Sequence, residues 1–350
     1  MFLSSIEREN KLYELKDYDL ASLCDVANAG KLLALDENGE LVAVNMKEEK
    51  GVAEVNGIKY ATLQEAFDAV LVSDEVKLID DLYIDTMIKT PKGTEITLNL
   101  NNHSIFAAPD MELAGGIIAV VNGSTLIVDG DGMVYGASST PFDVMAAFMV
   151  TTKDTYDASL PARLIINNGK IYGDIYAICG NGMRENTEII INGGDLVDLL
   201  GTGSAIFNPQ PNSKVIINRG VLKGGTGIEM RAGELIVNGG ISESITAPTS
   251  VNPNGSGTTT LGSAIAVAQH TTKKDLNIVV NGGIIKGYHA LHQSNPQKND
   301  VNAVALVNMT INKGTFISTN GGNMPVYSEN KEKFVVGGTF VPAIDEKYMA

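Results

Sequence analysis

Glu229 and His292 are the two residues of this sequence best placed for acid–base chemistry. Each comes one position after a short apolar pair, Gly227-Ile228 and Ala290-Leu291, and pairs of this kind recur along the chain. The equivalent positions after the other pairs hold Cys179, Phe207 and Ala266. Cleavage of a glycan needs two carboxylates, or a carboxylate and a base, on one outer face. The alignment predicts one outward row that contains Glu229 and His292 as catalytic candidates.

The spacing within this row is consistent with a glycan site but also with plain surface. Glu229 and His292 would lie two strands apart, roughly 10 Å at the strand spacing of a sheet, which exceeds a hydrogen bond but spans a sugar ring. Phe207 and Tyr288 are the aromatic residues near them that could stack on a sugar. The alternative is that Glu229 and His292 belong to ordinary surface and have no catalytic role, which favours a protein that is not an enzyme. Cys179 is predicted to be buried apolar filler.

Other acidic residues are weaker candidates. Asp129-Gly130-Asp131-Gly132 resembles part of a calcium loop but lacks the downstream Glu, so we interpret it as an acidic corner. Asp195 and Asp198 form a second acidic pair, which we expect to be solvated. No spacing typical of a zinc site or a phosphate-binding loop is present. We therefore predict no metal and no cofactor.

A repeated motif predicts the elements that position these residues. The motif is Ile/Val-Asn followed by Gly, and it occurs at Ile166–Gly169, Ile191–Gly194, Ile217–Gly220, Val237–Gly240, Val280–Gly283 and Ile311–Gly314, with Val335–Gly338 lacking the Asn. Each copy follows an apolar β-branched run and precedes two further short runs. Three short strands and three corners per repeat predict an all-β fold, a right-handed, three-faced parallel β-helix.

The recurrent Asn and Gly have separate roles in this prediction. Asn at one corner can form a ladder of side-chain amides between coils, while Gly permits the positive φ of a sharp corner. Antiparallel hairpins turning at each Asn-Gly are the alternative, but they leave the third run unexplained. The predicted domains are residues 1–50, a linker strand and capping helix over 51–74, and the β-helix over 75–350. A corner insertion is expected near 244–262.

Two further segments have recognisable designs. In Thr62–Leu71, Thr62 and Glu65 make a capping box, so a helix is expected to cover the open end of the solenoid. In Lys31–Val44, two apolar runs lie on either side of Asn38-Gly39. This pattern predicts a hairpin with Asn38-Gly39 as its turn. A short helix is expected over Asp19–Ala27.

The charge balance narrows the choice of partners. The net charge of −15 at pH 7 opposes binding to nucleic acid, because an acidic protein releases no counterions from it. No stretch is long and apolar enough for a membrane span. The first nine residues lack the basic start and apolar run of a secretory signal, so we expect synthesis in a cytoplasm without export.

Two stretches resemble known families. Tyr60–Ala66 followed by Leu98–Ile105 resembles the opening coils of pectate-lyase-like β-helix proteins, which implies a fold and no particular function. Residues Asn28–Val42 resemble the hairpin near the base of bacteriophage head-fibre and tail-fibre proteins. That likeness implies a homotrimer anchored to the particle by its N-terminus, and capsid or tail proteins as partners.

These features lead to one hypothesis and two alternatives. The leading one is a structural virion protein located on the virion surface, which projects a β-helix that contacts host surface polysaccharide. Its attachment residues would be the apolar hairpin residues Leu32, Leu33, Leu35, Leu41 and Val42. A tailspike-type polysaccharide depolymerase, hydrolase or lyase, is the first alternative, and a bacterial surface adhesin is the second. Glu229→Gln separates the first two, because only the enzyme would lose function.

Overall fold

The computed structural model describes residues 51–109, 111, 115–121, 123–137, 146–150, 160–182, 184–248 and 257–350, together with the backbone of four strands in the first 50 residues. Contacts divide the chain into two units, Met1–Lys50 and Gly51–Ala350. Each unit is described by itself.

The first unit contains two antiparallel hairpins. Its strands are β1 (Ser5–Arg8), β2 (Lys11–Glu14), β3 (Lys31–Leu35) and β4 (Leu41–Asn45). β3 pairs with β4 from Lys31↔Asn45 to Leu35↔Leu41, which confirms the predicted hairpin. The residues expected to form its turn, Asn38-Gly39, and those of the expected helix Asp19–Ala27 lie outside the described residues.

The second unit is built from short strands that follow one another around three faces. In chain order they are β5 (Ala53–Val55), β6 (Ile58–Tyr60), β7 (Ser73–Leu78), β8 (Leu82–Ile84), β9 (Ile88–Lys89), β10 (Glu95–Asn99), β11 (Ser104–Ala107), β12 (Gly116–Val120), β13 (Thr125–Asp129), β14 (Met133–Gly136), β15 (Ala146–Val150), β16 (Ala162–Ile166), β17 (Lys170–Gly173), β18 (Tyr176–Gly180), β19 (Thr187–Ile191), β20 (Asp195–Asp198), β21 (Ser204–Asn208), β22 (Lys214–Ile217), β23 (Val221–Gly224), β24 (Thr226–Met230), β25 (Gly233–Val237), β26 (Ile241–Ser244), β27 (Ser263–Ala268), β28 (Leu276–Val280), β29 (Ile284–Gly287), β30 (His289–Ser294), β31 (Val307–Ile311), β32 (Thr315–Ser318), β33 (Val326–Ser328) and β34 (Thr339–Val341). The helices among the described residues are α1 (Leu63–Asp68), α2 (Val301–Ala305) and a 3-10 turn, Glu346–Tyr348.

Every third strand belongs to the same sheet, so the body is a parallel β-helix. Sheet 1 holds β5, β6 and every third strand from β7 to β31; sheet 2 runs from β8 to β32 and adds β34; sheet 3 runs from β9 to β33. From β7 onward each strand pairs in parallel with the equivalent strand of the next coil, as Leu164↔Ile189↔Val215 illustrates. The predicted fold class is confirmed, and the hairpin alternative is wrong.

The interior of the solenoid is a continuous column of aliphatic side chains. Inward positions repeat from coil to coil, as in Ile166, Ile191 and Ile217, each at most 1% exposed. Burying one such side chain contributes about 1.5–3 kcal/mol. A single coil has no second layer to cover its inner face, so this column forms only when coils stack.

The predicted Asn ladder lies at the corner between sheets 1 and 2. Each Asn donates a side-chain N–H to the amide oxygen of the preceding coil, with Nδ2···Oδ1 distances of 2.9–3.0 Å. The members are Asn167, Asn192, Asn218, Asn238, Asn281 and Asn312. The first of them donates to the carboxylate of Asp129 at 3.4 Å, so all the donors point toward the N-terminal end.

Glycine makes this corner possible because the coils stack too closely there for a side chain. Gly194 has φ of +81°, and a Cβ placed on it would lie 2.6 Å from the carbonyl oxygen of Gly169 in the preceding coil. The left-handed φ and the close approach both exclude an ordinary residue.

Both ends of the solenoid are covered. At the first coil, α1 begins with the predicted capping box of Thr62 and Glu65 and buries Leu63 and Phe67 in the main core. The helix ends at Asp68, before the end of the predicted run. At the last coil, Tyr348 packs on Phe334 and its hydroxyl bonds the backbone of Ser328.

The ladder should contribute measurably to stability. Asn218 both donates to and accepts from its neighbours, whereas Asn308 on sheet 1 donates to one side-chain partner, Asn277. We expect Asn218→Ala to lower the free energy of unfolding by about 1–3 kcal/mol, since two hydrogen bonds are lost at about 0.5–1.5 kcal/mol each. The matched control Asn308→Ala should lose less. Urea unfolding midpoints measure both losses. Equal losses would show that the ladder adds no stability beyond that of an ordinary surface hydrogen bond.

Candidate functional site

The residues predicted from the apolar pairs do lie in one register row on sheet 3. Cys179 pairs with Phe207, Phe207 with Glu229, Glu229 with Ala266, and Ala266 with His292. The alignment was therefore right. The expectation that the row is open surface is wrong for Phe207, Glu229 and Ala266, which are at most 6% exposed, whereas Cys179 is buried as predicted.

A segment of the corner insertion covers Glu229, at the middle of this row. The connection between β26 and β27 returns across the outer face of sheet 3, where residues Gly257–Thr260, which we call the strap, contact several coils. Thr258 N donates to the Tyr176 hydroxyl at 3.1 Å. The Thr226 hydroxyl donates to the carbonyl of Thr260. Arg231 reaches the carbonyl of Gly257 at 3.4 Å.

Glu229 is the central contact of the strap. Its carboxylate accepts the backbone N–H of Thr259 at 3.0 Å and the Thr259 hydroxyl at 2.7 Å. Burial raises the pKa of Glu229 to about 7, while the Thr259 hydrogen bonds and the nearby Arg231 charge oppose that rise. A carboxyl that is fully buried and held by its own chain cannot reach a polysaccharide, so the structure gives it a structural role in holding the strap.

The aromatic residue predicted beside it is also enclosed. Phe207 stacks on Tyr176 with ring centroids 5.0 Å apart, and Cys179 completes this small cluster. Burial raises the pKa of the Cys179 thiol to about 12, so it remains an unreactive thiol, as expected of apolar filler. Phe207 is therefore not available to stack on a glycan.

His292 lies two coils beyond Glu229 with Ala266 between them, and it belongs to a separate aromatic cluster. Its ring centroid is 5.0 Å from that of His289 and 5.1 Å from that of Tyr327, and Tyr288 packs edge-on against His289 at 4.9 Å. Burial, and then His289, lowers the pKa of His292 to about 4, so the imidazole is uncharged at neutral pH. The structure thus brings His292 and Tyr288 near each other but separates both from Glu229.

Of the acidic candidates, Asp195 is exposed as predicted, whereas Asp198 and Asp129 have structural contacts. Asp198 was expected to be solvated, but it is fully buried and accepts backbone N–H groups from Gly201, Gly203 and Gly225 at 2.9 Å. Its carboxylate therefore shapes the corner before β21. Asp129 belongs to the Asn ladder. No group of three potential metal ligands occurs among the residues that the structure describes.

A row of outward aromatic residues on sheet 2, exposed at Tyr83 and partly exposed at its other members, was missed by the sequence analysis. Tyr83, Phe106, Tyr135 and Tyr172 occupy one outward register position in four successive coils. Tyr83 and Phe106 stack at 5.2 Å between centroids, and Phe106 and Tyr135 lie 6.1 Å apart. Tyr83 is 68% exposed. The aromatic residues recur in the second short run of successive repeats, which forms sheet 2. The sequence prediction of a site compared only the third runs, which form sheet 3.

A polar groove of about 820 Å³ runs beside this aromatic row along the ladder corner. Its charged lining residues are Asp131, Lys170, Asp195 and Arg219. Glycines such as Gly194 also line it, and they have no side chain that would fill the groove. Lys170 and Tyr172 belong to the same strand, two residues apart, so they share the outer face of sheet 2. The row and the groove together form one surface, which we call the aromatic face.

The predicted attachment residues Leu32, Leu33, Leu35, Leu41 and Val42 lie in β3 and β4. Their strands pair as predicted, but their side chains lie outside the described residues. Within the described part of the chain, no helix is long and apolar enough to cross a membrane.

The raised pKa of Glu229 predicts a pH-dependent stability. Between its ordinary pKa of 4.5 and the folded value of about 7, the folded protein binds more protons than the unfolded chain. Stability contributed by this group is therefore lost as pH rises across that window. Glu229→Gln cannot ionise, so from pH 5 to 8 its melting temperature should fall less than that of the wild type. Glu234→Gln, in an exposed ion pair with Lys214, should follow the wild type; parallel curves for all three proteins would refute the assignment.

Comparison of the chain with protein families, with curated proteins and with solved structures gives no match.

Proposed function

We propose that this protein is a non-enzymatic carbohydrate-binding β-helix that is carried on the surface of a bacteriophage virion as a fibre or decoration protein. In this proposal residues 1–50 attach the chain to capsid or tail proteins, three copies associate, and the β-helix contacts host surface polysaccharide. The aromatic face supports the proposal most directly, because it combines a row of outward aromatic rings with an adjacent polar groove.

The aromatic row supports glycan binding through its chemistry and its spacing. Exposed aromatic rings in a contiguous patch are uncommon on a soluble protein and mark an interaction site. Flat rings with a polar edge suit a ligand that has an apolar face and polar rims, which is the character of a sugar ring. Tyr83, Phe106, Tyr135 and Tyr172 repeat along the solenoid axis, about 4.8 Å per coil, so an extended chain of sugars can lie across several of them.

The groove supplies the hydrogen bonds that stacking alone cannot. Asp131, Asp195, Lys170 and Arg219 provide both acceptors and donors along its length. Opposite charges alternate there, so the groove does not select for an anionic ligand. Together with the net charge of −15, this favours a neutral polysaccharide.

The described site does not favour a depolymerase. The predicted acid, Glu229, is enclosed beneath the strap. Asp131 and Asp195 in the groove are exposed, whereas a general acid for glycoside cleavage is usually a carboxyl desolvated by its pocket. We therefore propose binding without cleavage.

Alanine substitution on the aromatic face tests the binding proposal. Tyr172→Ala and Tyr135→Ala should each weaken binding to bacterial surface polysaccharides at least tenfold, since each removes a stacking ring. Tyr288→Ala, at the corner between sheets 2 and 3 and four coils beyond Tyr172, should bind like the wild type. Glycan arrays followed by calorimetry measure this. Loss in Tyr288→Ala alone would move the site to sheet 3, and a wild type that binds no polysaccharide would overturn the proposal.

Removal of residues 1–50 tests the attachment. The core and both end covers of the β-helix lie within residues 51–350, so the truncated chain should fold with an unchanged melting temperature and retain glycan binding. It should be absent from virions assembled in its presence, as judged by quantitative mass spectrometry of purified particles. Normal incorporation would place the attachment surface on the solenoid instead.

A further inference from the structure

Sheet 1 carries a second exposed row whose chemistry differs from that of the aromatic face. Its outward register position is aliphatic in six successive coils, and we call this row the aliphatic stripe: Ile127, Ile165, Ile190, Ile216, Ile236 and Val279. All six are partly exposed. Thr97 precedes the row and Thr310 follows it in the same register, so the stripe has defined ends. At about 4.8 Å per strand it is about 24 Å long.

The stripe is suited to another protein surface and not to a sugar. β-Branched aliphatic side chains have no flat ring for stacking and no hydrogen-bonding group. Regularly spaced apolar side chains on a flat sheet can instead interdigitate with those of a second sheet, as in the core of a sandwich. The equivalent outward row of sheet 2 changes after Tyr172 and Val197 to the charged residues Lys223, Glu243 and Lys286, so it has no aliphatic run of this length.

The residues that flank the stripe indicate a second copy of the chain as the partner. On one side Arg163, Glu188, Lys214 and Glu234 alternate in sign and pair within the chain, Arg163 with Glu188 at 2.5 Å and Lys214 with Glu234 at 3.4 Å. On the other side lies the Asn ladder, which is uncharged apart from Asp129.

This flank pattern matters because the whole chain carries a net charge of −15. Copies of such a protein repel one another unless they meet through a surface that is close to neutral. The outward residues of sheet 1 along the stripe have that property. A surface that binds a basic partner protein would instead be acidic, which the surroundings of the stripe are not.

We propose that the aliphatic stripe on sheet 1 is the interface through which copies of this chain associate. The stripe buries its six aliphatic side chains against the equivalent side chains of the other copies, and the paired charges form the rim. This inference rests on the oligomeric part of the proposed function, and the aromatic row from Tyr83 to Tyr172 lies outside the interface, on sheet 2.

The mass of the full chain in solution is the first test. Light scattering coupled to gel filtration should give a multiple of 37.1 kDa for the wild type. Ile216→Glu, which places a charge in the middle of the stripe, should shift the mass to that of one chain. Ile317→Glu is the matched control, because Ile317 is also a partly exposed outward isoleucine but lies on sheet 2, next to Lys286. It should keep the mass of the wild type, and circular dichroism checks that both variants are folded.

Cross-linking identifies the occupant directly. Under mild oxidation Ile216→Cys should form a disulfide between two copies that the wild type, with Cys24 and Cys179 alone, does not form. A disulfide from the new cysteine to Cys24 of the same chain would place residues 1–50 on the stripe and overturn the inference. A wild type of one-chain mass, or an Ile216→Glu variant of unchanged mass, would overturn it too. Glycan binding by folded Ile216→Glu is scored separately, so failure of the interface and failure of the binding proposal are distinguishable.

Discussion

The register between neighbouring coils is the constraint on which the rest of this structure depends. A strand of a parallel β-helix satisfies its backbone groups only through the coils before and after it, so a shift by one residue would turn inward side chains outward along the whole column. Two features of the sequence hold the register at the same corner. The ladder from Asn167 to Asn312 links the coils through amides, and the glycines beside it, such as Gly194, let consecutive backbones approach closely.

Because the register is shared, each outward position becomes a line of side chains, and the three faces have diverged along these lines. Sheet 1 presents aliphatic residues, sheet 2 presents aromatic residues in its first half, and sheet 3 is covered where Thr259 of the strap binds Glu229. A solenoid offers this separation at little structural cost, since an outward residue does not contribute to the column inside. We interpret the three faces as separate tasks: association, binding and internal closure.

The periodic features of this fold could be predicted from the sequence, and the aperiodic ones could not. The Asn-Gly motif and the apolar pairs placed Glu229 and His292 in the correct register row because the repeat itself encodes that row. The burial of Glu229 was hidden because it depends on the strap, which occurs once and contacts residues 30 positions away. The aliphatic stripe was hidden for another reason: in Ile189-Ile190-Ile191 the inward and outward residues are of the same type, so no alternation distinguishes them. Asp198 looked like a surface charge because its partners are backbone groups, which leave no signature in a sequence.

The direction of the Asn ladder has a consequence for how such a protein changes in length. Every amide in the ladder is oriented alike, so their dipoles add along the axis, and the positive end terminates on the carboxylate of Asp129, as an anion does at the start of a helix. Any interior unit both donates and accepts, and is therefore interchangeable with its neighbours, whereas Asp129 can only accept. Duplication or loss of one whole coil between Asn192 and Asn281 preserves this chain of dipoles. Insertion or deletion of a coil would therefore change the length of the solenoid by about 4.8 Å. The end of the ladder at Asp129 would be unaffected.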